Sequence, residues 1–293
     1  MTRKTGLSLV GKQAGKMTTL ASHRPSLLRR VAAGLAATAA LLASACASTG
    51  ASTSSSAAPA IGLYELRIYT ASAGKMDALD ARFRDHTVDL FKRHGMTPIG
   101  FFHVAPVPNQ PADNRLFYIM GYKDRAARDA SWSAFAADPE WKTVYAESQK
   151  DGSLTSKIEN IFLNAAEYAP KLNVTPSATA RHFELRTYTA TPGKLENVHA
   201  RFRDHTMRIF SRIGMTNMMY WRPVADQPQM AEKMVYLLSY PNAAARTTMW
   251  QTFGADEEWK KVSAESQKDG PLLISPGGVV SVQLTPTDYS PLR

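Results

Sequence analysis

Cysteine is almost absent from this 293-residue chain: Cys46 stands alone, so no disulfide can form within it in any compartment. No His-x-x-x-His pair and no cysteine cluster is present, and His199 and His205 lie six apart on a predicted helix, so spacing offers no metal site. The one Glu-x-x-His, Glu196 with His199, has no second copy, because Asp77 and Asp80 stand at those places in the first half; a solvated helix face is the expectation there. A glycine-rich phosphate loop is missing too, since Pro276-Gly277-Gly278 reads as a turn before a strand.

Acidic side chains are absent from residues 1–46, which carry Arg3, Lys4, Lys12, Lys16, Arg24, Arg29 and Arg30. Without that stretch the net charge of +10 falls to 28 basic against 25 acidic side chains, which removes the argument for a nucleic-acid partner. The longest apolar run, residues 31–45, is short of the roughly 20 residues that span a bilayer.

A cationic stretch, an apolar run and small residues around Cys46 together read as an export leader. Leu41-Leu42-Ala43-Ser44-Ala45-Cys46 resembles a bacterial lipobox, with Ala43 where a larger aliphatic residue is usual. The expectation is a periplasmic protein held on the membrane only by a lipid at Cys46. The alternative is cleavage near Ala45 or Ala47 to a soluble periplasmic or secreted protein. A mitochondrial presequence fits the Arg and Ser content but not the uninterrupted apolar run. Met17 would give a leader of more usual length, which leaves open whether residues 1–16 are translated. Residues 47–61, mostly Ala, Ser, Thr and Gly, read as a flexible tether.

What the chain does have, it has twice. Arg82-Phe83-Arg84-Asp85-His86-Thr87 recurs as Arg201-Phe202-Arg203-Asp204-His205-Thr206, each inside a longer helical pattern. Glu147-Ser148-Gln149-Lys150-Asp151-Gly152 recurs as residues 265–270, and Trp132, Phe135, Asp138 and Trp141 recur as Trp250, Phe253, Asp256 and Trp259. The duplication defines repeats over 62–170 and 182–293, joined by a linker at 171–181, each large enough to bury a core.

Within a repeat the periodicity changes in a fixed order. Residues 63–70 alternate as a strand; Met76, Leu79, Phe83, Thr87 and Leu90 recur at helical spacing until Gly95. Strands follow at 99–104 and 116–122, then a helix capped by Asp124, a further helical turn opened by Asp138-Pro139, and a last strand at 158–163. The second half repeats this with strands at 183–189, Tyr220-Trp221, 235–240 and 279–284. A βαββαβ unit predicts an α+β ferredoxin-like sandwich, whose helices cover one sheet face only. Two such units packed sheet to sheet would close an intramolecular α/β barrel; the repeats are thus each other's partner, which leaves further oligomerisation open.

The chain resembles the NIPSNAP family, within the dimeric α/β barrel proteins. The resemblance rests on Tyr64-Glu65-Leu66-Arg67 with Tyr69, residues 82–87, His94-Gly95-Met96 and Trp132-x-x-Phe135-x-x-Asp138-Pro139-x-Trp141, with the matching second set, and covers about residues 62–290. Ile213 in place of His94, Glu257 in place of Pro139 and the tandem arrangement depart from the pattern. The resemblance implies the fold and no one activity, because related barrels include cofactor-free monooxygenases, isomerases and haem enzymes. It implies haem only through His86, and no cofactor is expected.

The candidate chemistry lies on the first strand of each repeat. If Tyr64, Leu66 and Ile68 face the helices, then Glu65, Arg67 and Tyr69, with Glu184, Arg186 and Tyr188, converge in the lumen. Arg67 and Arg186 would hold a carboxylate or enolate, Glu65 and Glu184 would take a proton, and Tyr69 and Tyr188 would orient an oxygen. The bland alternative is a Glu–Arg ladder that satisfies itself. Trp221 is a further candidate for the pocket wall. His86 and His205, three residues after Phe83 and Phe202, are placed on or beside the buried helix face, as hydrogen-bonded layer residues or as proton-transfer groups. The functional expectation is an unidentified small apolar or aromatic carbonyl compound bound in the lumen, with or without cofactor-independent catalysis. The alternative is a non-catalytic protein-interaction module.

Overall fold

The computed structural model of the chain describes residues 60–172, 174 and 179–293. The expectations for residues 1–59, Cys46 among them, lie outside the described residues. The first repeat runs β1 (Leu63–Ala71), α1 (Met76–Arg82), a π turn (Phe83–Thr87), α2 (Val88–Arg93), β2 (Thr97–Val104), β3 (Arg115–Tyr122), α3 (Arg125–Ala137), α4 (Pro139–Ser148) and β4 (Thr155–Ala165). The second runs β5 (His182–Thr189), α5 (Leu195–Arg201), a π turn (Phe202–Thr206), α6 (Met207–Ile213), β6 (Thr216–Pro223), β7 (Lys233–Tyr240), α7 (Ala243–Ala255), α8 (Glu257–Ser266) and β8 (Val279–Pro286). Both units are the expected βαββαβ.

Local chemistry sets the helix ends. The Asp124 carboxylate accepts from the Ala127 N–H at the start of α3, and Asn242 accepts from Ala245 at the start of α7. Gly95 and Gly214 leave the first helical arm in the left-handed region at φ 75° and 100°, which glycine enters without a Cβ clash.

The duplicated Arg-Phe-Arg-Asp-His-Thr block is the π turn. The Val88 N–H reaches back to the Phe83 carbonyl, and Met207 to Phe202, five residues instead of four. Thr87 donates its hydroxyl to the Arg82 carbonyl at 3.0 Å and Thr206 to Arg201 at 3.1 Å, bridging the widened turn.

Each half is an antiparallel sheet in the order β4-β1-β3-β2 or β8-β5-β7-β6, the ferredoxin-like arrangement. The halves join edge to edge, β2 on β8 and β4 on β6, so the eight strands close into one barrel. Closure pairs the outer strands that an isolated repeat would leave open. Each repeat also sends its tail across the seam: Tyr168, after β4, bonds His199 on α5, and Tyr289, after β8, packs on Phe83 and Phe101. One chain thereby reproduces what two identical subunits would do.

Apolar side chains form three cores, one under each set of helices and one inside the barrel. The inner core takes Tyr64, Leu66, Phe102, Phe117, Phe183, Leu185 and Trp221. Tyr69, Phe83, Phe91, Phe101 and Tyr118 belong to the first helix–sheet layer. The faces of β1 are therefore the reverse of the expectation: Tyr64, Leu66 and Ile68 look into the lumen, and Glu65, Arg67 and Tyr69 look out under the helices. Both faces of a barrel strand are buried, so alternation alone gives two faces without saying which is inside. The polar face went to the side where the helices carry polar partners.

Candidate functional site

Glu65 sits on β1 beneath α3, with none of its surface exposed. Arg67 donates to its Oε1 at 2.7 Å, Arg128 grips both oxygens at 2.8 and 3.0 Å, and the Tyr122 hydroxyl and Trp132 indole N–H each donate to Oε2 at 3.2 Å. Arg67 itself is spread over Tyr118, at 2.7 Å from its Nε, the Tyr69 hydroxyl at 3.2 Å, and the face of Trp132 at 4.4 Å from the ring centre. Burial pushes the Glu65 carboxyl up, but the Arg128 bonds and the Arg67 and Arg128 charges outweigh it and hold the group below its usual value.

The second repeat builds the same site at Glu184. Arg186 at 2.7 Å, Arg246 at 2.7 and 2.9 Å, Tyr240 at 2.8 Å and Trp250 at 2.8 Å all donate to it, and Ser281 adds a hydroxyl. Burial again raises the carboxyl, yet the Arg246 bonds, the Arg186 charge and the Ser281 and Tyr240 bonds pull it down to about 2. Tyr188 lies 3.5 Å from Arg186. Two carboxylates saturated by donors in this way are poor general bases at neutral pH, where a useful base titrates near the working pH.

The two sites do not converge. Each lies outside the barrel wall under its own helices, so the six side chains expected in one lumen form two separate ladders. Arg128 and Arg246, which complete them, were not singled out from the sequence, although they recur at matching positions four residues before Trp132 and Trp250.

Aromatic and aliphatic side chains of both repeats pack against one another in the lumen. Phe102 and Phe183 pack ring to ring at 5.1 Å, Tyr64 meets Trp221 edge to face at 5.8 Å, and a Cβ on Gly100 would meet the Phe102 ring at 2.5 Å. Leu292, Leu172 and Val174 pack against this core from the segments outside the strands. Trp221 is in the lumen and buried, packed in the inner core, and its indole N–H has no hydrogen-bond partner.

His86 and His205 are exposed, not turned to the buried helix face. The π turn explains the difference: it advances the chain by less per residue than the 3.6-residue turn, so a position three beyond Phe83 swings off the buried side. His199 departs the other way. Expected on a solvated face, it is fully buried, with Nδ1 2.7 Å from the Tyr168 hydroxyl and Nε2 without a partner. Burial and then the Arg222 charge push its pKa down to about 4, so the ring is neutral at pH 7. Glu196, its sequence neighbour in Glu-x-x-His, is exposed and paired with Arg222. Among the described residues no group of three or more His, Cys, Asp or Glu side chains is placed to hold a metal ion, and no helix is long and apolar enough to cross a membrane.

Two ferredoxin-like halves closed into an eight-stranded antiparallel barrel define a dimeric α/β barrel built within one chain. The NIPSNAP family model matches residues 64–170 and again 183–291, and the chain belongs to that family as a tandem pair of its domains. Among solved structures, an anthrone oxidase-like protein is similar over 78% of this chain and 93% of its own, at 9% identity and a TM-score of 0.51. A NIPSNAP family protein of unknown function from Agrobacterium tumefaciens str. C58 shares 23% identity over 38% of this chain and 93% of its own, with a TM-score of 0.33. A NIPSNAP-like domain protein from Burkholderia xenovorans shares 21% identity over 38% and 90%, with a TM-score of 0.33. At 9% identity the likeness to the anthrone oxidase-like protein is one of fold. No curated protein matches the chain.

Proposed function

We propose that this chain is a non-catalytic binding module that works through its outer, helix-covered surface. The observation that carries the reading is the packed lumen: Phe102, Phe183 and Trp221 are buried at 0%, 0% and 1% exposure within one apolar cluster. The Glu65 and Glu184 sites add support, since their oxygens are already taken by arginines of the same repeat. A second reading, an aromatic carbonyl compound held in the lumen, is favoured by one observation, the unpartnered Trp221 indole N–H, which would donate to a carbonyl oxygen.

Native mass spectrometry on protein purified from its own cell separates the two. The outer-surface reading expects no retained compound that depends on Trp221. A bound aromatic carbonyl compound that Trp221→Phe releases overturns it in favour of the lumen. We further propose that the module is exported and tethered by a lipid at Cys46, a reading supported by the leader pattern alone. Mass analysis of the mature N-terminus tests this, and an unlipidated start beyond Cys46 rules it out.

A further inference from the structure

Two arginines among the described residues are buried without a carboxylate. Arg82, at the end of α1, is 7% exposed, and Arg201, at the end of α5, is 6% exposed. Neither makes an ion pair among the described residues, in contrast to Arg67 and the somewhat more exposed Arg186, which have Glu65 and Glu184. Arg82 spends one terminal nitrogen on the Ser148 hydroxyl at 3.1 Å and lies over the rings of Trp141 and Tyr145 at 5.4 and 5.6 Å. Arg201 reaches Ser266 at 3.4 Å and lies over Trp259 at 5.2 Å. The Nε of each is buried with no hydrogen-bond partner.

A guanidinium keeps its charge at any ordinary pH, so burial cannot be relieved by losing a proton. Ring faces offset part of the cost of an uncompensated buried charge, but a carboxylate that breaks a desolvated charge's isolation contributes more. Burial lowers the pKa of both guanidiniums, and the titratable groups that act on them are phenols, uncharged at neutral pH: Tyr69, Tyr145 and Tyr118 for Arg82, Tyr188 and Tyr236 for Arg201. Among the described residues no acid fills that place in either repeat.

Both arginines open onto a groove between the first helical arm and the last helix of their repeat. The groove at Arg82 has a volume of about 530 Å³ and that at Arg201 about 360 Å³. The π turn forms one side of each, which puts His86 and His205 on the walls. Ala81 and Val144 in one groove, and Ala200 and Val262 in the other, supply apolar wall. Of the acids on the walls, Glu147 and Glu265 are turned to Lys150 and Lys268 and Asp204 to Arg203, Asp85 is the fourth, and Lys261 adds a cation to the second groove.

We propose that each groove binds the carboxylate of a small amphipathic monoacid, with Arg82 and Arg201 as the anchoring residues and the apolar wall taking the hydrocarbon part. The acids at Asp85, Glu147, Asp204 and Glu265 select against ligands of higher negative charge, which would meet like charge on the walls. The inference rests on the outer-surface reading and gives it a ligand class. It predicts two sites per chain, one in each repeat.

Decanoate is a suitable probe, with decanol as the uncharged control, and isothermal titration on the mature chain is the measurement. Two decanoate molecules per chain are expected, with decanol at least about tenfold weaker. Arg82→Gln should reduce the stoichiometry to one, Arg201→Gln should remove the other site, and the double variant should bind none. Ala78→Phe with Asn197→Phe, at exposed positions on the groove rims, provides the same loss without touching a buried charge. Equal binding of decanol, two sites surviving in the arginine double variant, or no uptake by the wild type overturns the groove assignment and leaves the outer-surface reading standing. One decanoate per chain that survives both arginine changes and is lost in Trp221→Phe overturns both.

Discussion

In the first repeat the Arg67 Nε donates to the Tyr118 hydroxyl at 2.7 Å; in the second the equivalent Arg186 Nε and Tyr236 hydroxyl are both buried without a partner. The tail locks differ as well. Tyr289 donates to the carboxylate of Asp80 at 2.7 Å, with His103 on the same oxygen at 3.0 Å, whereas Tyr168 meets the imidazole of His199 and Arg222 turns away to Glu167 and Glu196. Yet the carboxylate with two arginines, a tyrosine and a tryptophan is the same in both halves. What the halves share marks what the sheet and its helices need; what they do not share marks where one half was free to change without losing the barrel.

Removing the shared feature should have the largest effect. Glu65→Ala or Glu184→Ala leaves two arginines, largely shielded from water at 10–18% side-chain exposure, facing each other and should cost about 3–5 kcal/mol each in urea unfolding. Glu184→Ala should cost the more, because Ser281 adds a donor to that carboxylate where the first repeat has Asn160 opposite Arg67. Equal losses would erase the distinction between the halves. The sign of the pH effect follows from the depressed value. Stability from Glu184 is complete above the ordinary 4.5 and is lost as pH falls toward about 2, a range worth about 3 kcal/mol.

His199 gives the second repeat an acid sensitivity in a higher window. Its folded pKa of about 4 lies below the ordinary 6.5, so the fully buried ring stabilises the fold above 6.5 and that contribution drains away as pH falls to about 4. The expected loss is about 3 kcal/mol by linkage, read as a falling urea midpoint between those pH values. In His199→Gln the slope in that window should flatten, and an unchanged slope would assign the sensitivity elsewhere. Next in size is the π turn. Thr87→Val and Thr206→Val each remove one hydroxyl bond to the carbonyl five residues back, for about 1 kcal/mol apiece, and the two costs should match because both turns use the same bond.

Much of this fold was legible in the sequence and the placement of its polar groups was not. The two repeats, the element order and the caps at Asp124 and Asp138 follow from periodicity and local chemistry, because each is decided within a few residues. The face of β1 is decided at long range, by Arg128 and Trp132 arriving from α3 more than sixty residues later. Strand alternation holds no information about that when both faces are buried. Counting at 3.6 residues fails past Phe83 for a different reason, since the π turn changes the count itself, and so His86, which that count puts on or beside the buried face, is exposed; Arg82 precedes the turn and is buried at long range, under Trp141 and Tyr145. A cue was present in the paired repetition of Arg82 with Ser148 and Arg201 with Ser266, whose hydrogen bonds span the two helical arms.

The smallest effect, that at Tyr236, bears most directly on the opening contrast, through its comparison with Tyr118. Tyr118→Phe takes the acceptor from the buried Arg67 Nε and should destabilise the fold by about 1–2 kcal/mol, since a charged donor is left unmet. Tyr236→Phe removes a buried hydroxyl that already lacks a partner, so it should be neutral within about 0.5 kcal/mol or slightly stabilising. The same chemical change at matching positions thus has opposite expected outcomes, measured as the difference between two urea midpoints. A matching loss at Tyr236 would mean that Arg186 does engage it in solution, and the second ladder would then be as complete as the first.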